Sequence, residues 1–241
     1  GRACAYNGGS ISFHETTMRL LRLIVRTRRH PSAILMLAQL LGMLVYPFLE
    51  QTHYGHIAFN AFGIIILAFT IRMVRRTPGA TWFSVAMAVP IIGLLSAQML
   101  FDLPHLQAWS SAIEALFYFY AAGSLIAYML ADRHVTTDEL YASGATFTLL
   151  AWGFTHLYLV VQALAPHSFG AAINAELPRT WTELNYLSFA LLSSTGIGDV
   201  IPLTYHARAL ASIEMFVGLI YLAAVVARLI GLKMQPVKEG D

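Results

Sequence analysis

Residues 193–199 read SSTGIGD, a run of hydroxyl side chains and glycines between two apolar stretches. We call this run the glycine segment. Ahead of it, Thr180 and Glu183 have the spacing of a capping box, which predicts a helix of about a dozen residues through Tyr186, Phe189 and Leu192. Neither a long helix nor a buried strand explains the polar run. A short capped helix followed by a polar loop therefore predicts a re-entrant hairpin.

The composition indicates a membrane protein. Of the 241 residues, 57% are hydrophobic and 12% are charged, against about 25% charged in an ordinary soluble domain. The mean hydropathy is +0.62. The net charge of +2 contains no polybasic block, so no nucleic-acid partner is expected. The single cysteine, Cys4, excludes an intramolecular disulfide and a cysteine-based metal site.

The length of the apolar stretches predicts an all-α membrane protein with six transmembrane helices. Crossing about 30 Å of hydrocarbon takes roughly 20 apolar residues in a helix. Pro47 and Pro90 fall inside spans, where kinks are tolerated. The predicted spans are Ser32–Leu49, Ile57–Val74, Thr81–Phe101, Trp109–Ala131, Ser143–Ala165 and Ala207–Gly231.

The basic residues orient these spans, because loops rich in Lys and Arg stay in the cytoplasm. Thirteen of the fifteen Lys and Arg fall on one side of the predicted bundle, and Arg179 and Arg208 fall on the other. Both termini of this multi-pass chain are therefore predicted to be cytoplasmic. The connection from Pro166 to His206, which contains the glycine segment, is predicted to lie outside.

The glycine segment can supply oxygen ligands to a monovalent cation. Replacing a cation's hydration shell takes several uncharged oxygens at fixed distances, which carbonyls facing an axis provide. Gly196 and Gly198 can adopt φ > 0, so that successive carbonyls point the same way. The Ser194 hydroxyl would form the inner end of the ladder, and Thr195 and Ile197 would turn their side chains back into the protein. One chain supplies one wall, so a closed ring needs several copies.

From about Ser143 to Gly231 the chain resembles the pore module of the tetrameric potassium-channel superfamily, whose filter reads TVGYG followed by Asp. The matching parts are an outer helix, a pore helix with Tyr186 and Phe189, a filter at Ser194–Gly198, Asp199 and an inner helix. The inner helix looks like that of small bacterial potassium channels. The resemblance implies a homotetramer in the bacterial inner membrane that conducts K+ passively, with K+ as the permeant ligand and no cofactor.

The resemblance also implies roles for single residues. Tyr186 and Asp199 would support the filter. Gly218, nineteen residues after Asp199, takes the place of the family's gating hinge, although glycines in transmembrane helices are also close-packing points. Backbone carbonyls that would bind K+ belong to Ser194, Thr195, Gly196 and Ile197, joined by the Ser194 hydroxyl, with Gly198 completing the filter.

Two positions depart from the family filter. Thr195 stands in place of valine, and Ile197 stands in place of the tyrosine whose hydroxyl bonds the surrounding pore helices. Ser194 replaces threonine and keeps the hydroxyl. Because a less braced filter selects less strictly, a weakly selective Na+/K+ channel of the same fold is the alternative to a potassium-selective one.

The first four spans, within residues 31–132, are predicted to form a domain that does not sense voltage. A voltage sensor repeats arginine at every third position of the fourth span, whereas Glu114 is the one ionisable residue between Trp109 and Ala131. This domain resembles the superfamily in number of spans and topology alone.

Three cytoplasmic segments complete the predicted domain order. Residues 1–30 contain arginines at three- and four-residue steps, typical of a basic amphipathic helix resting on anionic lipid headgroups. A cytoplasmic linker is predicted at 133–142, the pore domain at 143–232 and a short cytoplasmic tail at 233–241.

Ionisable residues within spans are costly and mark functional candidates. Glu114 and Glu214 both lie near the predicted outer ends. Glu214 either braces the filter from behind, pairs with Arg208 or extends to water. His156 is predicted to be a packed, hydrogen-bonded histidine. Five loop histidines either are solvated or sense protons, namely His53, His56, His105, His167 and His206.

Two other classes of protein fit the sequence less well. A secondary transporter places broken helices in both halves of the chain, whereas the one glycine-interrupted re-entrant segment follows the fifth span. An intramembrane enzyme would need a nucleophile and base such as Ser124 and His156, but no Gly-x-Ser-x-Gly or His-Glu-x-x-His motif is present. The sequence therefore predicts a channel and not an enzyme.

Overall fold

The computed structural model describes residues 31–50, 86, 89–93, 106–131 and 136–233. The predicted basic helix before residue 31, the predicted span Ile57–Val74 and the residues after 233 lie outside this part of the chain. Of the predicted span Thr81–Phe101, the described residues are helical. The loop histidines His53, His56 and His105 also lie outside the described residues.

Helices make up most of the described structure. Four of them are long and apolar enough to cross a membrane, so the predicted all-α membrane protein is confirmed at this level. The elements are α1 (Pro31–Glu50), α2 (Leu106–Leu130), α3 (Thr137–Leu164), β1 (Phe169–Gly170), α4 (Trp181–Leu192), β2 (Ile201–Pro202) and α5 (Tyr205–Lys233).

Helix α3 begins six residues before the predicted start of its span, inside the predicted linker. Thr136 is the N-cap, because its hydroxyl oxygen accepts a hydrogen bond from the Glu139 amide at 3.3 Å. Asp138 and Glu139 lie in the first turn, where negative charge favours a helix N-terminus. This polar first turn starts the helix before hydropathy alone marks a span.

Helix α3 lies at the centre of the described fold. All its residues from Thr148 to His156 are buried, which is typical of a helix packed on every side. The Trp152 ring meets the rings of Tyr118 from α2 and Trp181 from α4 edge-on, with centroids 5.6 and 6.0 Å apart. Helix α3 thus packs against both α2 and α4.

Helix α1 is attached at both ends to elements that follow it much later in the sequence. At its start, the Ser32 amide and hydroxyl donate to the Asp138 carboxylate at 3.1 and 2.8 Å. At its end, the Thr182 hydroxyl donates to the Glu50 carboxylate at 2.6 Å. These contacts align α1 with α3 and with the first turn of α4.

A two-stranded ribbon closes the base of the connection between α3 and α5. Phe169 pairs with Pro202 and Gly170 with Ile201 in antiparallel register. The Leu203 amide extends the ladder with a 2.8 Å bond to the Ser168 carbonyl. Helix α4 and the glycine segment therefore project from the ribbon as one hairpin.

Candidate functional site

Helix α4 has the predicted capping box at its start. The Glu183 amide donates to the Thr180 hydroxyl at 3.3 Å, and the Thr180 amide donates to the Glu183 carboxylate at 2.7 Å. The helix has 12 residues, a length of about 18 Å, which is too short to cross a bilayer. The predicted short, capped helix is therefore present, and its re-entrant placement in the membrane stays a prediction.

Arg179 anchors the loop that leads into α4, a role that the sequence analysis missed. Its side chain is 3% exposed and donates to the Ile173 carbonyl at 3.2 Å and the Glu183 carboxylate at 3.1 Å. Its backbone exchanges two hydrogen bonds with the Gln162 amide group, at 2.8 and 2.9 Å. The four-residue spacing to Glu183 was the available signal.

Helix α4 ends in a Schellman motif that leads directly into the glycine segment. The Ser194 amide donates to the Leu191 carbonyl at 3.0 Å, and the Thr195 amide donates to the Ala190 carbonyl at 3.1 Å. This motif needs a left-handed residue after the cap, and Ser194 fills that position with φ 58°. The backbone thus leaves the helix sharply at Ser194.

The glycine segment differs from expectation in two respects. Gly196 has φ 64°, but Gly198 lies outside the left-handed region, which Ser194 occupies instead. The Thr195 hydroxyl turns back to the Ala190 carbonyl at 3.2 Å, as predicted. Ile197 is 72% exposed, so its side chain does not turn back into the protein as predicted.

Tyr186 contacts the glycine segment, whereas Asp199 is exposed. A β-carbon added to Gly198 would lie 3.3 Å from Cε1 of the Tyr186 ring, so the ring covers the backbone at that point. The Asp199 side chain is exposed in the single chain. Its predicted supporting role stays a prediction.

Gly218 lies where α5 passes the end of α4. A β-carbon added to Gly218 would lie 2.2 Å from the Leu192 carbonyl oxygen, far inside van der Waals contact. Only a residue without a side chain fits there. This contact supports the close-packing interpretation of Gly218, and α5 continues as a helix through it from Tyr205 to Lys233.

Glu214 is fully buried between three helices, so the alternative in which it extends to water is wrong. It is 0% exposed. The Tyr158 hydroxyl donates to one carboxylate oxygen, and the Ser188 hydroxyl contacts the other. Arg208 lies at the start of α5, where it donates to the Pro202 carbonyl at 3.2 Å. Glu214 therefore packs between α3, α4 and α5, and its predicted role in bracing the filter stays a prediction.

Glu114 and His156 form a pair between α2 and α3. The Nδ1 atom of His156 lies 2.9 Å from the Glu114 carboxylate, and both side chains are largely buried. The Tyr118 ring packs on the imidazole with centroids 5.3 Å apart. The histidine is packed as predicted, and its partner is the other ionisable residue that the sequence analysis selected.

At the far end of α5 from the ribbon, two contacts hold it to the start of α3. Arg228 donates to the Glu139 carboxylate at 2.9 Å, and the Tyr221 hydroxyl donates to the Ser143 carbonyl at 2.6 Å. Together with Glu214 and Gly218, these contacts fix one face of α5 along most of its length.

Comparison with known families finds a match over this hairpin and parts of its flanking helices. Residues 153–233, about a third of the chain, match the model of a family described as "Ion channel". The match spans the second part of α3, from residue 153, and continues through the ribbon, α4, the glycine segment and α5. No curated protein and no solved structure matches the chain.

The match and the apolar helices point to the same class of protein. They support a membrane-embedded ion channel, and they favour a channel over an enzyme. The predicted pore domain and the matched residues both contain the glycine segment.

Proposed function

We propose that four copies of this chain form a potassium-selective channel whose filter is the glycine segment. The observation that carries the proposal is the path of the backbone after α4. It leaves the helix through left-handed Ser194, passes left-handed Gly196 and stays exposed from Ser194 to Asp199. Exposed non-helical backbone in a membrane protein is tolerated where it lines a water-filled cavity or is buried by protein.

In the proposed ring, K+ is coordinated by backbone carbonyls of Ser194, Thr195, Gly196 and Ile197 and by the Ser194 hydroxyl. Several carbonyls at fixed distances replace the hydration shell of a monovalent cation. The channel needs no cofactor, and K+ moves down its gradient. Tyr186, Asp199 and Glu214 support the filter, and Gly218 serves as a hinge or as a packing point.

The proposed setting is the bacterial inner membrane, with six spans in each chain and both termini in the cytoplasm. The N-terminal basic helix rests on anionic lipid, and the first four spans do not sense voltage. The distribution of Lys and Arg in the sequence supports this orientation.

A weakly selective Na+/K+ channel is the second candidate. Ile197 has no hydroxyl, and its side chain is exposed in the single chain. A filter held by fewer hydrogen bonds discriminates less between cations. Bi-ionic reversal potentials with K+ and Na+ separate the two candidates, because equal permeabilities would favour the second.

The proposal is tested with the full chain reconstituted in liposomes. We expect K+ flux that barium blocks and that Gly196→Ala and Gly198→Ala abolish. Alanine at 196 would have to adopt φ 64°, and at 198 its β-carbon would press on Tyr186. Gly123→Ala is the control, because none of the described residues has an atom within 4 Å of a β-carbon added to Gly123. Full flux in both filter variants would contradict the proposal.

A further inference from the structure

One buried carboxyl group contacts three helices, α3, α4 and α5. Tyr158 comes from α3, Ser188 from α4 and Glu214 from α5, and all three are 0% exposed. The hydroxyl groups of Tyr158 and Ser188 contact the two different oxygens of Glu214. A buried polar group is retained at low cost only when it is hydrogen-bonded. The two hydrogen bonds to Glu214 therefore hold α3 and α4 at a fixed position against α5.

The Ser188 hydroxyl has two acceptors in reach. It lies 2.8 Å from the Ala151 carbonyl on α3 and also contacts Glu214. A hydroxyl has one hydrogen to donate, so it serves one of these acceptors at a time. A group at 214 that brings its own hydrogen would let Ser188 donate to Ala151 and keep every contact.

The contact with Glu214 lies one helical turn from the filter. Ser188 precedes Leu192 by four residues on α4, and Glu214 precedes Gly218 by four residues on α5, so each pair lies on one face of its helix. The Leu192 backbone touches Gly218. Helices α4 and α5 therefore meet at two successive turns, the second immediately before the glycine segment.

From this geometry we infer that Tyr158, Ser188 and Glu214 act together as positioning residues for ion selectivity. They fix the position of α4 relative to α3 and α5, and this position sets the distances between the carbonyls of the glycine segment that follows α4. This inference rests on the proposed channel function and adds Tyr158 and Ser188 to the residues that determine its specificity.

The inference is tested by the ratio of K+ to Na+ permeability, measured for the full chain in planar bilayers under bi-ionic conditions. Glu214→Met keeps the length of the side chain and removes both hydrogen bonds, so we expect the ratio to fall by about tenfold. Tyr158→Phe and Ser188→Ala each remove one contact and should lower the ratio less.

Glu214→Gln is the decisive variant. An amide accepts from Tyr158 and donates to Ser188, so we expect a ratio within about twofold of wild type. Ser124→Ala is the matched control for Ser188→Ala, because the Ser124 hydroxyl bonds the Tyr120 carbonyl of its own helix. It should leave the ratio unchanged.

An unchanged ratio in Glu214→Met, or a loss in Glu214→Gln equal to that in Glu214→Met, overturns the inference and leaves the channel proposal intact. If Glu214→Met does not assemble, Tyr158→Phe and Ser188→Ala decide by the same criterion. Absence of cation flux in the wild-type chain overturns the proposed function, and this inference with it.

Discussion

Gly218 illustrates how a missing side chain sets the distance between two helices. Its nearest neighbours are backbone atoms of Leu192, at 2.2–2.8 Å from an added β-carbon. Backbone cannot move aside as a flexible side chain can, so α5 approaches α4 this closely only because residue 218 is glycine.

Gly218→Ala should therefore lower the thermal stability of the protein. The added methyl group forces α4 and α5 apart, a strain that costs about 1–3 kcal/mol. The measurement is thermal unfolding in detergent, with Gly123→Ala as the control. Alanine at exposed, helical Gly123 should raise stability by about 0.5–1 kcal/mol. Equal melting temperatures for the two variants would contradict the close-packing interpretation.

At the scale of elements, α3 and α5 are linked by an ion pair at the ends farthest from the ribbon. Arg228 contacts Glu139 at 2.9 Å, and the Glu139 side chain is 7% exposed. Removing one member of a buried pair leaves the other charge poorly compensated. The pair therefore fixes α5 against the first turn of α3.

Glu139→Gln and Arg228→Gln should each destabilise the protein by roughly 1–3 kcal/mol. The double variant Glu139→Gln with Arg228→Gln should lose less stability than the sum of the two single losses, because the second change removes the charge that the first one left unpaired. Thermal unfolding of the four proteins measures the coupling. Arg208→Gln, on the exposed start of the same helix, should change stability by about 0.5 kcal/mol or less. Strictly additive losses would show that the two charges are not coupled.

At the scale of the whole molecule, the direction of insertion decides which side the glycine segment faces. The chain has one cysteine, Cys4, which can be labelled without introducing another. A membrane-impermeant maleimide applied to oriented vesicles should label Cys4 from the cytoplasmic side alone, because basic loops stay inside.

The opposite side is tested in the same way. Glu176 is exposed in the connection before α4, so Cys4→Ser combined with Glu176→Cys should be labelled from outside alone. Labelling of both variants from the same side would contradict the predicted topology, and labelling of the Glu176→Cys variant from the cytoplasmic side would place the glycine segment at the inner face.

How much of this structure was predictable depended on the range of the interactions involved. The capping box at Thr180 and Glu183 and the length of α4 follow from residues within one turn, and the sequence predicts them correctly. The long spans follow from hydropathy over about 20 residues. Strands of two residues in the ribbon are too short to produce a period-2 pattern, so the sequence analysis missed them.

By itself, the sequence determined that this is a helical membrane protein with a short capped helix ahead of the glycine segment, because apolar length and local capping are properties of neighbouring residues. Only the tertiary structure decided the partners of Glu214. Tyr158 and Ser188 are 56 and 26 residues away, and no local pattern brings them together. Likewise the close approach of Gly218 to the Leu192 backbone is visible only in the tertiary structure. Such contacts depend on how helices pack, which spacing along one helix does not encode.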